Sequence, residues 1–171
     1  GGPQAGPALH ERIIENDARV LREVVRNLGK VNYKPAIEDL ADMAVASNSD
    51  MLRALADAFR EYGKSAIDVI VSRYDSSNQS GIRAAYKELL IAIGPEIADS
   101  IGKLLKGRSF FENRDTFEIL RQIKNPRVAT LMMPYLSDEE VAEQVVEAIR
   151  NLGSNAIEAT ITALQKQKKS G

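Results

Sequence analysis

The chain repeats itself, and this constrains its fold more than any other feature. Five stretches end in an apolar residue followed by turn residues: Leu28-Gly29, Tyr62-Gly63, Ile93-Gly94, Ile123-Lys124-Asn125 and Leu152-Gly153. Gly29, Gly63, Gly94, Asn125 and Gly153 are 34, 31, 31 and 28 residues apart. A period of about 30 residues marks stacked supersecondary units, each too small to bury its own apolar face. Ahead of each turn, apolar residues fall at i, i+3, i+4 and i+7. Examples are Leu21, Val24, Val25 and Leu28, then Leu55, Ala58, Phe59 and Tyr62, then Tyr86, Leu89, Leu90 and Ile93. This spacing lays one stripe along a helix. A fourth copy keeps Ile119, Leu120 and Ile123 with Thr116 in the weak slot, and a fifth has Val145, Ala148, Ile149 and Leu152.

A second stripe follows each turn. The set is Ala36, Ile37, Leu40, Ala41 and Ala44; Ala66, Ile67, Ile70, Val71 and Tyr74; Ile97, Ala98, Ile101 and Leu105; Val128, Ala129, Met132, Met133 and Leu136; and Ala156, Ile157, Thr160, Ile161 and Leu164. Small residues just after the turns (Ala36, Ala66, Ala129, Ala156) let successive pairs approach closely. Pro35, Pro95 and Pro126 suit the first turn of a helix, where a missing N–H costs nothing. Pro134 should bend the helix that carries Met132 and Met133. Glycine at the turns, with Asn125 as substitute, is expected to take positive φ. No window alternates like a strand. The sequence therefore predicts an all-α chain of ten or eleven short antiparallel helices.

Composition narrows the chemistry. The 171 residues include 23 Lys and Arg, 24 Asp and Glu, one His, no Cys and no Trp, for a net charge of −1. Without Cys there is no disulfide, thiolate metal site or cysteine nucleophile. A lone His10 cannot build a multi-histidine metal centre, and it is expected as an exposed linker histidine. No cofactor or metal is implied, and no catalytic constellation stands out. No apolar run approaches the roughly 20 residues that span a bilayer, so no membrane partner is expected. Residues 1–8, rich in Gly and Pro, read as flexible linker; 9–168 as the repeat domain; 169–171 as a tail. The lack of Cys fits a cytoplasmic home.

The polar face carries its own pattern. With Lys124 as the reference in the fourth copy, six positions before each turn stand Glu23, Asp57, Glu88, Glu118 and Glu147, and three before stand Arg26, Arg60, Ile91, Arg121 and Arg150. Ten before stand Arg19, Arg53, Ala84, Arg114 and Glu143. These offsets share one helix face. They can stabilise through i, i+3 pairs worth about 0.2–0.5 kcal/mol each. They can also recognise a partner, since Arg grips carboxylates bidentately. The seven Arg and six acids nearly cancel, which argues against a phosphate track. The aromatics Phe59, Tyr62, Tyr86 and Phe117 fall on or near the apolar stripes rather than forming a stacking surface. The third copy, with Ala84 and Ile91 in Arg positions, is either local drift or an apolar anchor. Of the adjacent Phe110 and Phe111, one should cap the core and the other could anchor a partner.

The apolar helix, Leu-Gly turn, Ala-Ile and second apolar helix of AIRNLGSNAIEATITAL (148–164) and EYGKSAIDVI (61–70) resemble HEAT-like repeats. The resemblance spans nearly all of residues 17–165. It implies a right-handed α-α superhelix of about five helix pairs, with the helices before each turn lining a concave face. The expectation is a non-enzymatic scaffold, part of a larger protein, that binds another protein or peptide segment. The candidate partner-binding residues are Glu23, Arg26, Asp57, Arg60, Glu88, Ile91, Arg121, Arg150, Phe110 and Phe111. The alternative is an enzyme accessory or small-ligand-binding protein of the same fold.

Overall fold

A computed structural model describes residues 5–12, 17–135 and 139–152 of the chain. Every regular element among the described residues is helical. The α-helices among the described residues are α1 (Ala5–Glu11), α2 (Ala18–Lys30), α3 (Ile37–Met43), α4 (Ser49–Tyr62), α5 (Lys64–Ser76), α6 (Ser80–Ile93), α7 (Ala98–Gly102), α8 (Phe110–Gln122), α9 (Arg127–Met132) and α10 (Glu139–Leu152). The last predicted helix, around 155–165, and the predicted tail lie outside the described residues. The chain divides into two compact units, Gly1–Ile93 and Gly94–Gly171.

In the first unit α4 packs against α2 and also against α6, while α3 packs against α5 and α5 against α4 and α6. The helices before the turns thus form one layer and the helices after them a second. The stripes explain this order. Val24, Val25 and Leu28 of α2, Leu55, Ala58 and Phe59 of α4, and Leu89, Leu90 and Ile93 of α6 are all buried. So are Leu40 and Ala41 of α3 and Ile67, Ile70 and Tyr74 of α5. The second unit repeats the scheme, with α8 against α10, α7 against α9, and cross-layer contacts from α7 to α8 and from α9 to α10. Phe117, Ile119, Leu120, Val128, Ala129 and Met132 form its core. The small residues Ala36, Ala66 and Ala129 are at most 1% exposed.

Helix boundaries follow local chemistry. Asp17 accepts hydrogen bonds from the Arg19 and Val20 amides, and Asn48 accepts one from the Met51 amide at 2.9 Å. Ser109 and Glu112 close a capping box at the start of α8. Those Ser109 hydrogen bonds hold the Glu112 carboxyl below its ordinary pKa, its backbone N–H contributing most. Pro35 and Pro95 open 3₁₀ turns. After Met132 the chain tightens into a 3₁₀ turn through Pro134, the interruption expected there.

Several expectations are corrected. Residues 5–8 are not linker but the start of α1. Pro7 sits in the first turn, where its missing N–H breaks no bond. Gly6 is buried beneath Tyr33, whose ring an added Cβ would strike. His10 is on α1 rather than in a linker, 2.5 Å from Asp39 and edge-on to Tyr33. Gly63 and Gly94 take positive φ, 87° and 88°, but Gly29 does not. Gly29 lies inside α2, and the left-handed residue there is Asn32. Asn125 is not left-handed either, because Pro126 restricts the residue before it. Its side chain instead accepts from the Arg127 amide and donates to the Pro95 carbonyl at 2.8 Å.

Two tyrosines tie successive repeats together. The Tyr62 hydroxyl donates to the Tyr33 carbonyl at 2.7 Å, and Tyr135 donates to Leu105 at 2.6 Å. Burial pushes the Tyr62 phenol up to about 12 from an ordinary 10. The folded chain therefore holds this proton longer than the unfolded chain does. The resulting stability is complete below pH 10 and is lost as pH rises towards 12. Tyr62→Phe is expected to cost about 1 kcal/mol near neutral pH. The gap between wild type and variant should then close between pH 10 and 12, as read from urea midpoints; a constant gap would refute the assignment.

Candidate functional site

The charged face of the first unit is built by register. Arg26, three before its turn, reaches across to Asp57, six before the next turn, with Nε donating to Oδ2 at 3.0 Å. It also lies 3.7 Å from Glu23 on its own helix. Asp57 in turn pairs with Arg60 one helical turn along α4. The second unit repeats the cross-helix rule, with Arg121 of α8 donating to Glu147 of α10 at 2.8 Å. An arginine of one repeat thus meets the acid of the next. These pairs are part exposed and each contributes modestly, about 0.2–1 kcal/mol.

The third helix breaks the rule. Arg60 does not reach Glu88. Its Nη1 donates instead to the carbonyls of Ala92 and Ile93 at 3.0 and 3.1 Å. These are the last carbonyls of α6, which lack intrahelical donors, and a cation is favoured at that end. Glu88 is exposed and Ile91 half-buried. Arg150 is exposed on α10. Phe110 and Phe111 open α8, and their side chains lie outside the described residues. The structure therefore brings Glu23, Arg26, Asp57 and Arg60 into one network, and the first unit places Glu88 and Ile91 outside it.

Between α2 and α4 lies an open cleft of about 520 Å³, lined by the network residues Arg26, Asp57 and Arg60 together with Lys30 and Glu61. Lys30 and Glu61 were missing from the sequence-predicted set. The signal was there: each lies four residues beyond a ladder residue, Arg26 and Asp57, and so one turn further along the same face. Neither has an ion pair among the described residues. Glu61 sits in the last turn of α4, where a negative charge opposes the helix dipole. Helix stability does not explain its presence.

On the opposite layer Arg73 of α5 bridges Glu38 and Asp42 of α3 and donates to the Tyr86 hydroxyl at 3.1 Å. Burial disfavours its charge, but the hydrogen bonds to Tyr86, Asp42 and Glu38 outweigh this and raise its pKa. One side chain thus fastens three helices. Sequence reasoning also misses Asn113 of α8, fully buried, whose Nδ2 donates to the Leu105 and Arg108 carbonyls. It occupies the stripe position three before Thr116, which is also buried.

Phe59, Tyr62, Tyr86 and Phe117 are at most 8% exposed, so these four offer no stacking surface for bases. Among the described residues no cluster of three His, Cys, Asp or Glu side chains could hold a metal, and no helix is long and apolar enough to cross a membrane. Neither the protein-family models nor the curated proteins compared with this sequence give a match.

Proposed function

We propose that the chain is a non-enzymatic protein-interaction module of the HEAT-like class, its helix pairs stacking as a right-handed solenoid. Its docking site is the cleft between α2 and α4, which takes a segment of another protein. The observation that carries this reading is the lining of the cleft: Arg26, Asp57 and Arg60 already have partners, while Lys30 and Glu61, here called its rim, have no ion pair among the described residues. The two-layer order of helices within each unit supports the repeat class. Because Arg26 and Arg60 already have partners, this reading gives them mainly to stability and gives recognition to Lys30 and Glu61.

The test separates the two roles. Wild-type chain and the single variants Lys30→Glu and Glu61→Lys are used to capture proteins from an extract of the source cells. Bound proteins are identified by mass spectrometry. A partner retained by wild type should be lost with either variant, while both variants melt within about 0.5 kcal/mol of wild type, as surface changes do. A partner held equally by all three proteins would rule out the cleft.

A further inference from the structure

We infer that the cleft selects a zwitterionic polypeptide segment, one acid and one base spaced to meet Lys30 on α2 and Glu61 on α4. This rests on the docking reading above and deepens it. Arg26, Asp57 and Arg60 are committed: Arg26 to Asp57 at 3.0 Å, Arg60 to Asp57 and to the end of α6. What the cleft offers a visitor is one cation and one anion, on different helices.

Complementarity follows from that. A polyanion would satisfy Lys30 and meet repulsion from Glu61 and Asp57. A polycation would do the reverse against Lys30, Arg26 and Arg60. Only a segment with both signs satisfies the rim without a like-charge contact. Neighbouring helices pack with axes about 8–10 Å apart. An extended chain advances about 3.3 Å per residue. Lys30 and Glu61 stand on neighbouring helices, so the acid and base should lie within a few residues of one another in an extended segment. Either chain direction satisfies the rim, so the requirement is on composition and spacing, not on order.

The experiment pans a phage-displayed library of random dodecapeptides on wild type, Lys30→Glu and Glu61→Lys. Wild type should enrich peptides with one acid and one base within a few residues of one another. Lys30→Glu makes the rim wholly acidic and should enrich peptides with two bases. Glu61→Lys makes it wholly basic and should enrich peptides with two acids. In a synthetic copy of a wild-type-selected peptide, replacing the acid or the base by Ala should weaken binding up to about fivefold by fluorescence anisotropy. Peptides whose binding is lost in the rim variants but which carry no such charges would overturn the inference while sparing the docking site. Enrichment of the same peptides on all three proteins, or none on wild type, would overturn both.

Discussion

Gly29→Ala is expected to destabilise the first unit by about 1–3 kcal/mol, the range for forcing extra atoms into a packed contact. In an exposed helix the same change would stabilise by about 1 kcal/mol, since Ala is the better helix former. Here the new Cβ would lie 2.7 Å from the Ala58 Cα and 2.9 Å from the Ala58 carbonyl oxygen. Both are backbone atoms, so no rotamer change relieves the clash. Helices α2 and α4 must separate, and they carry Val25, Leu28, Leu55 and Phe59, all completely buried. Ala58→Gly should restore little, because it removes only the side-chain contact at 3.1 Å. The control is Gly81→Ala in the first turn of α6, where nothing lies within 4 Å. That variant should gain about 0.4–1 kcal/mol. Urea midpoints decide the matter. Equal gains at both positions would mean that α2 and α4 are not in the contact described.

Gly29 also shows how far the sequence could be read. The turn at its position was correctly placed to within a few residues, because apolar spacing ends there. The reason for the glycine was not visible, since a turn glycine and a contact glycine look alike in one dimension. Asn32, which does take the left-handed conformation, lies three residues beyond Gly29. The stripes were legible because burial follows helical period directly. Thr116 was assigned its slot correctly, but Asn113, one turn earlier on the same stripe, was not picked out. A buried amide is intelligible only once the Leu105 and Arg108 carbonyls are near it. The charge ladder was legible within each helix, as Glu23 with Arg26 and Asp57 with Arg60. Its bonds between helices depend on the offset of α2 against α4, which no single-helix pattern encodes. Lys30 and Glu61 fell outside the three offsets counted, though the same face continues to them. Gly and Pro near His10 suggest a linker in the sequence, while the packing of Gly6 on Tyr33 makes those residues part of a helix.

The departure of Arg60 from that ladder yields the second large effect. Arg60→Ala is expected to cost about 1–2 kcal/mol, the charge-assisted hydrogen-bond range lowered for partial exposure. Two carbonyls of α6 lose this donor, and the Asp57 carboxylate loses one of its two, keeping Arg26. Arg60→Lys should recover only part of this, since a single ammonium cannot present a fork to Asp57 and to both carbonyls. The loss should be local. Amides in the last turn of α6 should exchange faster in Arg60→Ala, while those in the middle of α2 change only with global stability. In a cycle with Asp57→Asn, the two losses should not add, because Asp57 positions the guanidinium that reaches α6. This separates ladder from anchor. If Arg60 served recognition alone, its removal would leave both the melting midpoint and exchange in α6 unchanged. Replacing Ile91 with Arg adds a complementary outcome. Four of the five repeats carry Arg at this position, but Arg60 already occupies the end of α6 in the third. With Arg60 in place a second cation has no vacant carbonyl pair to meet, so Ile91→Arg in the wild-type background should leave the urea midpoint within about 0.5 kcal/mol of wild type.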